Sequence, residues 1–218
     1  MNKSSASYVL FFMLAISVFF GIVLSGVHHA TQATLAKNET LHRNRSISRA
    51  FLLEVTGDSA EAYQQAIDRH IEVRNMREDG RSFEVLTTRA PGERYVGFLL
   101  SGSGFWGPIT GIAVFSEDLK TMVNIQFLEH QETPGLGGRI EETWFTDQFK
   151  GLEIAWDQPP DKRIIVGRAS DPQAKNRVDA ITGASQTSIA LMKSLNEELV
   201  LFRKAYMNRM AYMNRMIR

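Results

Sequence analysis

The last predicted helix of the chain begins within the stretch Asp179-Ala180-Ile181-Thr182-Gly183-Ala184-Ser185-Gln186-Thr187-Ser188. Gly183 permits a positive φ or a close approach to a ligand, and Ser185 is a suitable N-cap for the helix that follows. Thr187 is then expected in the first helical turn, where backbone N–H groups lack internal partners and the helix dipole favours an anion. A phosphate group would be stabilised there, although most such Ser/Thr clusters only cap a helix.

The helix itself is predicted from Ser185 to residue 203 or beyond, because apolar side chains recur every three or four residues. This apolar stripe consists of Ile189, Met192, Leu195, Leu199 and Phe202. The tail then contains the sequence AYMNRM twice, at 205–210 and 211–216. Two copies of six residues are too few for a repeat architecture. A duplicated helix end is one interpretation, and a surface of Met, Tyr and Arg side chains that rests against a membrane or partner is the other.

Segments rich in β-forming residues lie upstream of this helix. They predict strands at 82–88, 95–100, 109–115, 122–128 and 163–166. A turn is expected at 90–93 and a loop at 101–107, and the strands 109–115 and 122–128 should form an antiparallel pair. The soluble part is therefore predicted to be α+β, a single domain with a mostly antiparallel sheet and flanking helices.

An uncharged, strongly apolar segment, Tyr8 to Val27, lies near the N-terminus. As a helix, its length matches the roughly 30 Å hydrocarbon core of a bilayer. A cleaved signal peptide is the alternative, but an apolar region of about 7–15 residues is usual there, and 24–27 is a poor cleavage site. We expect a retained transmembrane helix, followed by helical patterns at 31–54 and 59–74.

The charges that flank this segment bear on its orientation. Lys3 precedes it, whereas Lys37, Arg43 and Arg45 follow it. Taken alone, this bias would keep the following domain in the cytoplasm, although large domains translocate largely regardless of charge.

Composition narrows the possible functions of the chain. The formal net charge is +1, so no large electrostatic field favours nucleic acid. The absence of cysteine excludes disulfides, thiolate metal sites, Cys-ligated iron–sulfur clusters and Cys nucleophiles. We expect no nucleic-acid partner, no metal site and no catalytic residues.

A second distinctive stretch is His130-Gln131-Glu132-Thr133-Pro134-Gly135-Leu136-Gly137-Gly138. Pro134-Gly135 is a turn signal, and the glycines would let the backbone lie flat against a planar ligand. An ordinary turn after a strand is the alternative interpretation. The loop Phe105-Trp106-Gly107 contains an aromatic residue, Trp106, that could serve either the core or a ligand.

Together these stretches resemble the FMN-binding domain family, which is found in the Nqr C subunit (sodium-translocating NADH:quinone reductase) and the Rnf complex G subunit. Residues 179–187 match the flavinylation pattern Asp-x-x-Ser/Thr-Gly-Ala-Ser/Thr-x-Ser/Thr, and residues 130–137 resemble the family's His-x-Glu-Thr-Pro-Gly-Leu-Gly loop. The resemblance implies covalent FMN, joined through its phosphate to the Thr187 oxygen by a flavin transferase that uses FAD. It implies two groups of cofactor-site residues: the motif residues Asp179, Thr182, Gly183, Ala184 and Ser185, and the flavin-lining residues Glu132, Thr133, Pro134, Gly135, Leu136, Gly137 and Trp106.

The same resemblance implies a function and a location. The chain would be an electron-carrying subunit of an ion-translocating respiratory complex, not a complete enzyme alone, with other membrane subunits and the lipid bilayer as partners. It would cross the bacterial inner membrane once and hold its domain on the periplasmic side. The alternatives are a stand-alone membrane flavoprotein and a non-redox anchor with an unmodified motif.

The predicted organisation has four parts. They are a membrane anchor at 1–29, a helical stalk with N-terminal helices at 30–80, the FMN-binding domain at 81–203, and the duplicated C-terminal tail at 204–218.

Overall fold

The computed structural model describes residues 6–89, 94–167 and 173–216, with side chains up to residue 211. The turn predicted at 90–93 lies outside the described residues. The chain divides into two compact units, Met1–Leu41 and His42–Arg218. The boundaries of the four predicted parts stay predictions.

The described part of the first unit is the N-terminal portion of helix α1, which runs from Ala6 to Ala50. Among the residues that the structure describes, α1 is the one helix long and apolar enough to cross a membrane. Its most apolar 18-residue window has a mean hydropathy of 2.5, and none of that window is buried. A bilayer would remove these exposed side chains from water, as expected for the segment Tyr8 to Val27.

In the second unit, the end of α1 is followed by α2, Ala60–His70. The Ser59 side chain caps α2 by accepting a hydrogen bond from the Ala62 N–H at 3.1 Å. The helical pattern predicted to continue to residue 74 is wrong over its last four residues. Strand β1, Ile71–Glu78, begins directly after α2, and beyond Ile71 its side chains alternate between half-buried and exposed with the two-residue period of a strand.

The second unit is built on a six-stranded antiparallel sheet in which each strand pairs with its sequence neighbour. The remaining strands are β2 Arg81–Thr88, β3 Tyr95–Ser103, β4 Pro108–Ser116, β5 Thr121–His130 and β6 Leu152–Glu153. The predicted antiparallel pair is confirmed as β4 and β5. Because β3 extends to Ser103, the predicted loop at 101–107 is reduced to Gly104–Gly107.

Short elements connect the sheet to the last helix. They are α3 Thr143–Thr146, the 3-10 turns Gly137–Glu141, Asp147–Phe149 and Pro160–Lys162, and the parallel pair β7 Ile165–Val166 and β8 Arg177–Val178. The strand predicted at 163–166 is thus only two residues long.

Helix α4, Ser185–Met216, covers one face of the sheet. Phe202 of α4 stacks on Phe98 of β3 with 4.3 Å between ring centroids. The other face packs against Ile47 and Phe51 at the end of α1 and against Ile67 of α2. The sheet is therefore buried between two helical layers, and the predicted α+β class is confirmed.

The predicted stripe of α4 is only partly correct. Leu195, Leu199 and Phe202 are buried, but Ile189 is 53% exposed, and Leu191 takes the buried position in that turn. The helix also continues through the first copy of the tail repeat, where Ala205 and Tyr206 are buried. The first copy is thus part of the domain's packing.

Candidate functional site

The loop that follows β5 is a tight turn closed by backbone hydrogen bonds. The N–H groups of Leu136 and Gly138 both donate to the Thr133 carbonyl, at 3.1 and 3.0 Å. Gly135 has a φ of +74°, which a residue with a Cβ rarely adopts. This turn fixes Glu132 at its start and Gly137 at its end.

Glu132 contacts Thr187 across 55 positions of sequence. The Thr187 hydroxyl donates a hydrogen bond of 2.7 Å to Glu132 Oε2. Both residues are buried, with 3% of Thr187 and 4% of Glu132 exposed. A buried carboxylate is costly unless it is hydrogen-bonded, so this pair fixes the β5 loop against the start of α4.

The second oxygen of the same carboxylate holds a third segment. Glu132 Oε1 accepts hydrogen bonds from the backbone N–H of Phe105 at 2.7 Å and of Trp106 at 3.1 Å. Glu132 therefore connects the loop between β3 and β4 to Thr187. Trp106 itself is 66% exposed, so it is not a core residue of this structure.

Two glycines leave the space in which the Glu132 carboxylate and the Thr187 hydroxyl lie. A Cβ on Gly137 would lie 2.4 Å from Thr187 Oγ1 and 2.8 Å from Glu132 Oε2. A Cβ on Gly104 would lie 2.4 Å from Glu132 Oε1. Any side chain at either position would displace the carboxylate or the hydroxyl, so these glycines are required by close contact.

A cavity of about 390 Å³ lies beside the Thr187 hydroxyl. Its lining residues come from three loops and the start of α4: Phe105, Trp106, Thr133, Leu136, Gly137, Gly183, Ala184, Ser185, Gln186 and Thr187. The volume falls within the range typical of small-ligand sites, about 300–1,000 Å³. Apolar side chains, flat glycine backbone and one buried hydroxyl are chemically suited to a planar aromatic ligand that carries a phosphate.

The start of α4 differs by one residue from the prediction. The Ser188 N–H donates to the Ala184 carbonyl at 3.1 Å, which places Ala184, and not Ser185, in the N-cap position. Thr187 nevertheless lies in the first turn, where unpaired N–H groups and the helix dipole favour an anion. The fit of an anionic phosphate at Thr187 is therefore unchanged.

The neighbouring hydroxyl, Ser188, has a different environment. Its oxygen accepts from the Ile181 N–H at 3.2 Å and donates to the Ala184 carbonyl at 3.1 Å. Both bonds close the turn before α4, so the hydroxyl stabilises local backbone structure.

Not every predicted site residue lines the cavity. Asp179 and Thr182 border a separate surface groove of about 700 Å³, together with Trp144, Arg177 and Ile189. Ser185 borders both depressions. Pro134 and Gly135 are exposed on the turn and line neither.

The groove has its own charge pattern. Asp179 is paired with Arg177, and its backbone N–H donates to Gln148 Oε1 at 2.7 Å. Nearby, Arg139 and the Trp144 indole N–H hold the pKa of the Glu142 carboxyl below its usual value by hydrogen bonding to it. The groove is thus edged by ionised side chains and by exposed apolar ones.

Several residues of the two depressions were not predicted from sequence. Trp144 and Ile189 border the groove, and Gln186 lines the cavity. The sequence contained an indication that Ile189 is exposed, because Leu191 is a second apolar residue in the same turn and is the one that is buried. The side chain of His130 does not pair with the Glu132 carboxylate but lies 3.2 Å from Glu141.

The fold and the lining of this cavity are those of a small-ligand-binding domain and are compatible with a flavin. Residues 104–200 match the family model of the FMN-binding domain. Over these residues the chain is similar to the FMN-binding domain family, and relatives that it matches are C subunits of Na(+)-translocating NADH-quinone reductases.

Two relatives illustrate this kinship. Over 98 residues, the chain is 40% identical to the C subunit of the Na(+)-translocating NADH-quinone reductase of Yersinia pestis. The match covers 44% of this chain and 36% of that protein. Over 89 residues it is 33% identical to the corresponding subunit of Neisseria meningitidis serogroup A, covering 41% and 34% of the two chains. The matched part spans about a third of the length of these relatives.

Solved structures show the same fold. The crystal structure of the C subunit of the Na(+)-translocating NADH-quinone reductase from Parabacteroides distasonis has a TM-score of 0.65 and 21% identity, covering 80% of this chain and 96% of that one. Shewanella oneidensis NqrC gives a TM-score of 0.65 at 15% identity, covering 80% and 99%. At this level of identity the likeness concerns the fold alone.

Proposed function

We propose that this chain is a membrane-anchored electron-transfer subunit that carries FMN covalently on Thr187 and works within an Nqr- or Rnf-type ion-translocating complex. The observation that carries the proposal is the buried Thr187 hydroxyl at the edge of the 390 Å³ cavity. FMN, when bound, supplies the redox chemistry, and the protein supplies attachment, orientation and surroundings.

The residues of the cavity have distinct tasks in this proposal. Thr187 provides the oxygen of the phosphoester, and the first-turn N–H groups of α4 favour the phosphate charge. Leu136 and Trp106 provide apolar surface for the ring, and Thr133 provides polar groups at its edge. Gly137 and Gly183 keep the walls free of side chains, so the flavin can approach the backbone closely.

Attachment requires an activated phosphate, because joining an alcohol to a simple phosphate monoester is unfavourable in water. A flavin transferase with FAD as donor meets that requirement. The groove beside the cavity presents Asp179 and Thr182 at the surface. These two motif residues are suited to contact the transferase, since they are not needed to line the cavity.

The assignment to a respiratory complex is supported by the sequence similarity to C subunits of Na(+)-translocating NADH-quinone reductases and by the apolar helix α1. A carrier embedded in a complex needs no substrate-processing residues of its own. Solubilised with mild detergent, the chain should co-purify with other membrane subunits of a sodium- or proton-translocating oxidoreductase. Purification as an isolated flavoprotein would favour a stand-alone electron carrier.

The attachment site is tested by intact mass and peptide mass spectrometry. Full-length chain made with a flavin transferase should gain the mass of FMN less one water, and the gain should map to Thr187. Thr187→Ala should lose it, because the adjacent Ser188 hydroxyl is engaged in the turn before α4.

Ser188→Ala is the matched control, since it removes the adjacent hydroxyl. It should keep FMN but melt at a lower temperature, because the buried Ile181 N–H loses its acceptor at a cost of about 1–3 kcal/mol. Attachment at Ser188, or an undiminished mass gain in Thr187→Ala, would contradict the assignment.

The proposal also places the domain on the periplasmic side of the inner membrane. The support is the apolar helix α1 together with the family resemblance, against the basic residues that follow the apolar segment. The chain should resist carbonate extraction, and protease added to spheroplasts should digest the domain. Digestion only after lysis would place it in the cytoplasm.

A further inference from the structure

We propose that Glu132 is the general base of its own protein's flavinylation, taking the proton from Thr187 as the phosphoester forms. This inference rests on the proposed attachment at Thr187. It assigns the proton acceptor to the chain that is modified.

The geometry supplies the first argument. Glu132 Oε2 lies 2.7 Å from Thr187 Oγ1, and the hydroxyl proton is directed at it. That distance is within the hydrogen-bond reach that proton transfer requires, about 2.6–3.2 Å. The acceptor and the nucleophile are already paired before any flavin arrives.

The second argument is that the base is held rigidly. Its other oxygen accepts two backbone hydrogen bonds, from Phe105 and Trp106. A carboxylate fixed at one oxygen leaves the second oxygen in a single place, beside Thr187. The missing side chains at Gly104 and Gly137 preserve that place, because a Cβ at either position would collide with the carboxylate.

The third argument concerns the alternatives. A hydroxyl is a weak nucleophile unless an adjacent base activates it. Ser188 donates to a backbone carbonyl, which does not act as a base. His130 accepts from the Glu132 N–H at 3.2 Å through Nδ1 and lies by Glu141 through Nε2. Among the hydroxyls and bases described at this turn, Thr187 and Glu132 are the pair in contact.

The chemical step balances without any oxidation or reduction. A bond forms between Thr187 Oγ1 and the phosphorus of the FMN half of FAD. The phosphoanhydride bond of FAD breaks, and AMP leaves with the electron pair. The hydroxyl proton passes to Glu132 Oε2 and from there to solvent.

Glu132→Gln is the decisive variant because it changes the proton acceptor and little else. The carbonyl of the new amide can still accept from Phe105 and Trp106, while its NH₂ group donates to Thr187 Oγ1. Full-length chain in detergent would be mixed with excess transferase, and FMN attachment would be followed by mass over a range of FAD concentrations. We expect the maximal rate to fall about a hundredfold or more, the range of general-base effects. The FAD concentration for half-maximal rate and the melting temperature should be unchanged.

A second variant, Glu132→Ala, tests the same base independently of any change in packing that the amide side chain causes. Glu132→Ala leaves space for a small carboxylate, so formate should restore part of its attachment rate, whereas chloride at the same ionic strength should not. Glu132→Asp should retain intermediate activity, since its carboxylate is one methylene short.

The outcomes separate this inference from the proposed function. Wild-type attachment at Thr187 with an equally fast Glu132→Gln would overturn the base and leave the attachment site standing. The base is likewise overturned if Glu132→Gln changes only the FAD dependence or the melting temperature, or if formate has no effect on Glu132→Ala. Absence of FMN from Thr187 in the wild type would overturn both.

Discussion

The same ten-residue motif faces two depressions of different character. In the cavity, Thr187 is 3% exposed and is fixed to the Glu132 carboxylate, whose other oxygen is held by backbone N–H groups. In the groove, Asp179 is an exposed member of an ion pair with Arg177. One side of the motif is built into the protein, and the other is presented to solvent.

Under the proposed attachment of FMN to Thr187, this difference shows how one motif can serve both cofactor packing and recognition by a second protein. A cofactor site needs close packing, and the glycines around Thr187 allow it. A site that a second protein must recognise needs accessible groups, and Asp179 and Thr182 border the groove where we propose that the transferase makes contact. The motif spans the turn into α4, so its first residues border the groove while residues 183–187 line the cavity. Variants on each side should therefore affect different observables.

The larger effect, on the rate of FMN attachment, is expected from a variant in the groove. Asp179→Asn removes the exposed charge and should slow FMN attachment about tenfold, which corresponds to ~1.4 kcal/mol. A hydrogen bond to a charged group is worth about 1.5–3 kcal/mol, and solvent exposure lowers that value. The rate is read by mass spectrometry with limiting transferase, and attachment should still reach completion with an unchanged flavin spectrum.

A matched control exists for this variant. Glu153 forms an exposed ion pair with Lys175 at 2.9 Å, comparable to the pair of Asp179 with Arg177. Glu153→Gln should leave the attachment rate unchanged. Equal rates for Asp179→Asn and wild type would show that the Asp179 charge takes no part in attachment.

The smaller effect, on the reduction potential of the flavin, is expected from a variant in the cavity. Leu136 is 45% exposed and lines the cavity wall, so Leu136→Asp places a negative charge there. For unit charges about 6 Å apart, the interaction is roughly 3 kcal/mol at an effective dielectric near 20. Screening at this exposed position reduces it several-fold, and a decrease of the one-electron potential by some tens of millivolts follows.

The measurement is a redox titration of the attached flavin, with Leu136→Asn as the uncharged control. Attachment at Thr187 should persist in both variants, because the acceptor lies on a different segment. A potential and spectrum identical to wild type in Leu136→Asp would remove the 132–137 loop from the flavin site. The comparison between the two depressions would then rest on Thr187 alone.

Much of the fold could be predicted because it depends on local pattern. The β4–β5 pair, the N-terminal apolar helix and the start of α4 follow from periodicity, length and turn residues. Strand β1 could not be predicted in this way. Ile71 continues the apolar spacing of a helix, but in the structure it pairs with Thr88 of β2. Such pairing is tertiary, and a short segment's own preferences do not specify it.

The amino-acid sequence by itself indicated the residue that we propose to carry FMN and the segment that can cross a membrane. Thr187 lies within the recognisable motif at 179–188, and the uncharged run Tyr8 to Val27 has the length of a bilayer core. Only the tertiary structure decided that Thr187 is buried and that Asp179, in the same motif, is exposed to solvent. It brought Glu132 to Thr187 across 55 residues and held it by the backbone of Phe105 and Trp106. Contacts of that separation arise from the packing of the sheet against α4, which no local pattern encodes.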